Sequence, residues 1–180
     1  MPDFTQTIVF GGGCFWCLDA VFAQVRGVHS VESGYSNGVT VQPSYEQVCS
    51  GTTGHNEVVK LRFDPTQISL HEILEIFFVI HNPTTLNQQG YDRGTQYRSG
   101  IYFANRDQET VAKNLIAEIN ESGVSSRPVV TEVLPLANYW PAEDYHQDYF
   151  AKNPEQGYCL AVAAPKVAKF RQTFARLTRT

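Results

Sequence analysis

The sequence predicts an α+β fold: a ferredoxin-like split β-α-β core, a mixed sheet with helices packed on it, and an irregular C-terminal extension. Three observations lead there. Six consecutive segments switch between strand and helix periodicity in the order β-α-β-β-α-β, which is the order of that core, with its helices on one face of the sheet. Two helical segments carry explicit start signals, Ser69-Leu70-His71-Glu72 and Asn105. At 180 residues and 42% hydrophobic content, the chain is long enough for one well-buried core and short for two. A single domain over 1–180 is expected, with its core at about 4–135 and a peripheral segment at about 136–180.

Taken in order, Thr7-Ile8-Val9-Phe10 is β-branched and aromatic and reads as a short buried strand. Gly11-Gly12-Gly13 follow as a hinge that turns sharply and leaves the backbone open to a ligand, and from Leu18 the residues Leu18, Val21, Phe22 and Val25 recur at helical spacing. Val28 to Tyr35 partly alternates as a second strand, and a long polar loop is expected to run to about Gly54. Glu57 to Asp64 alternates strongly and stops at Pro65, giving a third strand. The Ser69 capping box and the stripe Leu70, Ile73, Leu74, Phe77 and Ile80 predict a helix over about 70–81, ended by Pro83.

A second polar loop leads to a fourth strand over Tyr97 to Ala104. Asn105 caps a helix carrying Val111, Leu115, Ile116 and Ile119 that ends near Gly123, and Val129 to Leu134 reads as a fifth strand. From Tyr139 the chain looks peripheral. A short helix is expected from Pro141 through Tyr149, then a loop over Asn153 to Tyr158, then a terminal helix from Pro165 with Phe170, Phe174 and Leu177 on one face. Lys166, Lys169, Arg171, Arg176 and Arg179 read as its solvated face.

Composition narrows the function. A formal charge of -4 and a pI near 5.7 give no field that would gather nucleic acid or an anionic membrane. No apolar run approaches a membrane span, and Met1-Pro2-Asp3-Phe4 lacks the regions of a secretory signal, so a cytoplasmic, monomeric protein is expected. Cys14, Cys17, Cys49 and Cys159 do not show zinc-site spacing, and the five histidines contain no His-Glu-x-x-His pattern, so no metal is expected. In a reducing compartment, Cys14-x-x-Cys17 has the spacing of a dithiol pair, and redox chemistry leads.

Cys14 falls between strand and helix, at or just before the first helical turn. A thiol there meets unpaired N–H groups and the positive end of the helix dipole, which favour the thiolate. The gain matters: a free thiol with pKa about 8.5 is only roughly 3% ionised at pH 7, and one lowered to about 7 is roughly half ionised. Phe15 and Trp16 beside it suit an apolar pocket at a reacting sulfur. Glu57 opens a strongly apolar strand after a glycine-bearing loop, where burial would keep a proton on its carboxyl near neutral pH and make it a general acid.

These residues carry a resemblance. Gly13-Cys14-Phe15-Trp16 is similar to the signature of the A-type peptide methionine sulfoxide reductases, and Cys49-Ser50-Gly51-Thr52-Thr53-Gly54-His55-Asn56-Glu57 resembles that family's Cys-Ser-Gly-x-Thr-Gly-His-x-Glu segment. Further matches are His81-Asn82-Pro83-Thr84-Thr85, Gly94-Thr95-Gln96-Tyr97-Arg98-Ser99, Ala142-Glu143-Asp144-Tyr145-His146-Gln147 and Gly157-Tyr158-Cys159. They span nearly the whole chain.

The resemblance implies reduction of the S epimer of methionine sulfoxide, free or in proteins, through a sulfenic acid on Cys14 and then a disulfide. It selects Tyr45 and Tyr97 from nine tyrosines as hydrogen-bond donors to the sulfoxide oxygen, and it assigns Asp92 to ordering its loop and holding the substrate backbone. Phe15 and Trp16 would wall the substrate methyl group. No bound cofactor is implied, and thioredoxin is the implied electron donor. For the resolving thiol the reading favours Cys159, on a glycine-flanked loop that resembles the family's recycling segment. Cys17, one helical turn from Cys14 where many relatives have glycine, is the alternative. Cys49 is expected to be buried and inert. A thioredoxin-like disulfide oxidoreductase using Cys14-x-x-Cys17, and a non-enzymatic binding module, are the rival classes.

Overall fold

The structure, a computed structural model, describes residues 4–179; the Met1-Pro2-Asp3 start, read above as lacking a secretory signal, lies outside them. The core begins with β1 (Gln6–Gly11), α1 (Phe15–Phe22) and β2 (Val28–Ser36). Then α2 (Tyr45–Cys49) forms inside the expected loop, because Ser44 and Gln47 make a capping box in which each side chain satisfies the other's backbone N–H. β3 (Asn56–Phe63) and α3 (Leu70–Ile80) follow as expected, the latter started by the Ser69–Glu72 box.

The second polar region holds a small hairpin, β4 (Gln88–Gln89) with β5 (Asp92–Arg93), and a 3₁₀ turn at Thr95–Tyr97. The next strand, β6 (Gly100–Phe103), is therefore shorter than expected, and Tyr97 lies on the turn before it. α4 (Arg106–Ser122) is capped by the Asn105 side chain on the Gln108 N–H and ends at Gly123 in the left-handed region. β7 occupies Glu132–Pro135 instead of 129–134, since the Val130 N–H is taken by the Pro83 carbonyl and only later residues reach β6.

The sheet runs β7-β6-β1-β3-β2 and adds β8 (Trp140–Pro141) at its far edge. β6 and β7 are parallel and the other pairs antiparallel, so the mixed sheet is as predicted. Pro141 does not start a helix. It sits on an edge strand, where a missing N–H costs nothing, and the chain continues as a 3₁₀ turn at Asp144–His146 and α5 (Tyr149–Lys152). Cys159–Ala163 forms a π-helical turn that runs into α6 (Ala164–Thr173), and Gly157 and Tyr158 before it are already helical, so Cys159 lies inside a helical segment and not on a loop. α6 stops before Phe174; Leu177 sits in a separate 3₁₀ turn, and Thr178 bridges Val25.

α1 and α3 cover one sheet face, where Phe10 stacks on Phe77 at 4.8 Å and meets Phe22 at 5.3 Å. The opposite face keeps a smaller cluster of Val9, Val58 and Tyr102 under Leu136 and Tyr139. Among the described residues no helix is long and apolar enough to cross a membrane.

Candidate active site

Cys14 is the N-cap of α1 and, at 8%, is the most exposed residue of the three buried cysteines. Its place is set by the three glycines. Only Gly13 needs its positive φ of 90°; Gly12 is glycine because a Cβ there would meet the His81 ring at 2.9 Å. The crowding comes from the protein's own side chains, Asn56, His81, Phe77 and Gln89, so these glycines serve packing at the turn. The Gly13 N–H is fixed by the Tyr97 carbonyl at 3.2 Å. His81, whose pKa burial lowers to about 3, stays neutral: its Nδ1–H donates to the Phe77 carbonyl and its Nε2 accepts from Ser99 at 2.8 Å. This locks the end of α3 behind the glycine turn.

Glu57 is fully buried on β3. The Phe15 N–H, at the start of α1, donates to its Oε1 at 3.2 Å, and its Oε2 has no partner. Burial raises its pKa to about 8, against the lowering effect of the Phe15 bond and with a further rise from Asp92. A carboxyl that holds its proton at pH 7 is what the sequence expects here.

Cys14 itself departs from expectation. Burial, followed by the charges of Glu57 and Cys17, pushes its thiol well above the ordinary range, although the Trp16 N–H pulls the other way. The helix end does supply donors, but one of them, the Phe15 N–H, is spent on Glu57, and desolvation outweighs the rest.

Tyr45 and Tyr97 come from α2 and from the 3₁₀ turn, and both stand close enough to Glu57 and Cys14 to feel their charge. Burial first, then Glu57, keeps both phenols protonated above their ordinary range. The structure therefore brings Cys14, Glu57, Tyr45 and Tyr97 around one spot. Phe15 is fully buried, 5.7 Å from Tyr35, 6.4 Å from Tyr45 and 5.0 Å from His146.

The segment after Tyr139 is not peripheral: it builds one wall of the site. Trp16 lies flat on Tyr149, with ring centres 3.8 Å apart and planes 6° apart, and meets Tyr158 edge-on at 5.9 Å. Its indole N–H donates to His146 Nδ1 at 3.0 Å, which places the His146 proton on Nε2, a buried atom without a partner. Glu143 accepts from the Tyr35 hydroxyl at 2.8 Å and from the Tyr45 N–H at 2.9 Å, tying α2 to this wall. Asp92 accepts from the Tyr158 hydroxyl at 2.6 Å and lines the same cleft as Cys14. Reading the sequence assigns no role to Glu143, His146, Tyr149 or Tyr158; their density of rings between 139 and 158 was the available signal.

The remaining thiols are also placed differently. Cys17 is 1% exposed on the first turn of α1, with its Sγ 3.8 Å from the Tyr158 hydroxyl, and it acts electrostatically on Cys14 and feels Cys159. Cys159 is fully buried inside its helical turn. Cys49 is exposed, because the inward position of α2 belongs to Val48. Among the described residues no three His, Cys, Asp or Glu side chains are grouped to hold a metal ion.

Comparison with known proteins gives one family. Residues 6–178 match the family model for peptide methionine sulfoxide reductase. A protein of Polynucleobacter asymbioticus named peptide methionine sulfoxide reductase MsrA is 56% identical over 172 residues, 96% of this chain and 90% of its own. Among solved structures, Mxr1 of Saccharomyces cerevisiae in reduced form superposes with a TM-score of 0.80 at 32% identity, covering 88% of this chain and 91% of that one. Methionine sulfoxide reductase A of Corynebacterium diphtheriae gives 0.77 at 35% identity, covering 89% and 80%.

Proposed function

This chain belongs to the peptide methionine sulfoxide reductase family and is a thiol-dependent reductase of methionine sulfoxide; from that premise we propose how its residues do the work. Cys14 attacks the sulfoxide sulfur. The oxygen is transferred to Cys14, leaving the thioether of methionine and a sulfenic acid. Glu57 donates its proton to the departing oxygen and is reprotonated at the expense of the Cys14 thiol, so no net proton is consumed in this step. Tyr45 and Tyr97 donate hydrogen bonds to the oxygen, Phe15 and Trp16 enclose the methyl group, and Asp92, held by Tyr158, orders the substrate backbone. The observation that carries this reading is Glu57: a fully buried carboxyl with a free oxygen and a proton retained up to about pH 8, beside the nucleophile.

A second thiol then attacks the sulfenic sulfur, expels water and forms a disulfide. The two thiols together supply both electrons, so the reading needs no bound cofactor, and the chain is proposed to work as one domain and as a monomer in the cytoplasm. The family resemblance supports the S epimer as substrate and thioredoxin as the external reductant. Of the two candidates for the resolving thiol, proximity favours Cys17 in the first disulfide, since it lies one turn from Cys14 and Cys159 is enclosed in a helical turn. Cys159 takes the role if that turn unwinds. Thiol mapping after one equivalent of methionine S-sulfoxide decides. A Cys14-Cys17 disulfide is expected, with one methionine released, and the Cys159→Ser variant is expected to keep single-turnover yield; a Cys14-Cys159 bond would return the role to Cys159. Steady turnover should require thioredoxin and its reductase, with no matching activity on insulin disulfide.

Trp16→Ala is expected to weaken transition-state binding by about 1–3 kcal/mol, read as kcat/KM for methionine sulfoxide. The loss should appear mainly in KM. Unaltered dependence on substrate concentration would remove Trp16 from the methyl pocket.

A further inference from the structure

The cleft that contains Cys14 does not end at the thiol. It continues past Asp92 and Tyr158 as a trough of about 700 Å³ to the face of α6, where Lys166 and Lys169 line it. Cavities of about 300–1,000 Å³ hold ligands of drug size, and a methionine sulfoxide side chain alone is smaller than that. The trough has room for its neighbours in a polypeptide.

Its edges differ from the rest of the surface. Tyr91, at the tip of the β4–β5 hairpin, is wholly exposed, and Val124, just past the end of α4, is 86% exposed; both line the trough. The lysines stand three residues apart on one helix face. Neither makes an ion pair among the described residues. By contrast, the other basic residues of this terminal segment are fastened: Arg171 to Gln24, Arg176 to Glu72, and Arg179 to the carbonyls of Ala23 and Val28. The sequence suggests one solvated basic face; the structure divides it into three clamps and two uncommitted ammonium groups beside the reaction centre. On a chain of formal charge -4, that is a local reversal of sign.

We propose that this trough seats the polypeptide flanking an oxidised methionine, and that Lys166 and Lys169 select flanks carrying aspartate or glutamate within a few residues of it. Tyr91 and Val124 supply apolar grip without sequence preference, and the lysines supply the preference. The proposal rests on the reading of Cys14 as the attacking thiol, which fixes one end of the trough.

The test uses peptides with a central methionine S-sulfoxide flanked on both sides by glutamate, glutamine or lysine, and measures single-turnover kcat/KM for methionine formation. Exposed pairs of this kind are individually modest, so about a fivefold advantage of glutamate over lysine flanks is expected at low ionic strength, shrinking at about 0.5 M salt as screening shortens the reach of the ammonium groups. The Lys166→Gln/Lys169→Gln variant should lose the advantage and keep its single-turnover rate on free methionine sulfoxide within about twofold. Lys169→Glu should move the preference towards lysine flanks. Equal rates for all flanks in the unaltered protein, or a preference that survives in the double variant, would overturn the assignment of the trough. Failure of the unaltered protein on free methionine sulfoxide would instead strike the reading of Cys14.

Discussion

Cys14→Ser is expected to leave no more than a few per cent of single-turnover sulfoxide reduction while the protein stays folded. Serine oxygen has no accessible higher oxidation state into which the sulfoxide oxygen can pass, so no sulfenic intermediate forms. The fold should survive because the site is a helix N-cap whose cysteine makes no side-chain capping bond, and serine is among the best residues there. A melting temperature equal to or slightly above that of the unaltered protein, with methionine release lost, is the expected pair of results. Substantial release from the serine variant would mean that another thiol attacks first.

For Glu57→Gln the expected outcome is an enzyme that is slower and more stable. Loss of the acid should slow the chemical step about 10²- to 10⁴-fold. Stability moves the other way, because the folded pKa of about 8 lies above the ordinary carboxyl value of 4.5. The folded state holds this proton more tightly than the unfolded chain does. Its contribution is therefore complete below about pH 4.5, falls as pH rises, and is lost once pH passes about 8. Glutamine carries no such loss, so its advantage should grow from near zero at pH 4.5 to a few kcal/mol at pH 9, read by chemical denaturation at both pH values. Rate follows the same proton: reduction by the unaltered protein should decline about tenfold per pH unit above about 8, and the glutamine variant should show no such decline. An unchanged single-turnover rate in that variant would end the acid assignment.

What the sequence discloses is largely what local patterns can encode. The order of strands and helices, the Ser69 and Asn105 caps, the Gly123 stop and the placement of Cys14 at the start of α1 all rest on spacings within a few residues, and all are found. Burial of Glu57 follows from the apolar strand that it opens. The Ser44-x-x-Gln47 box is as good a helix signal as Ser69-x-x-Glu72, but its polar surroundings disguise a helix of five residues. Pro141 is ambiguous by nature, since the first turn of a helix and an edge strand tolerate it for the same reason. The hidden part is tertiary. Nothing near Trp16 says that Tyr149 will lie against it, and the sign of the Cys14 shift depends on a desolvation to which distant segments contribute. The burial of Cys159 and the exposure of Cys49 likewise depend on which side of a short helix faces inward.

The wall that closes over Trp16 has a consequence for the chain while it is being made. Cys17 and the tyrosine that meets it, Tyr158, are separated by 141 residues. At synthesis rates of about 5–20 residues per second, roughly 7–30 s pass between their appearances. During that interval Trp16 and Cys17 lack the Tyr158 ring and hydroxyl that meet them in the finished fold. Cys17, only 1% exposed once the fold is complete, is therefore expected to meet solvent and oxidants more readily in the newborn chain than in the mature enzyme.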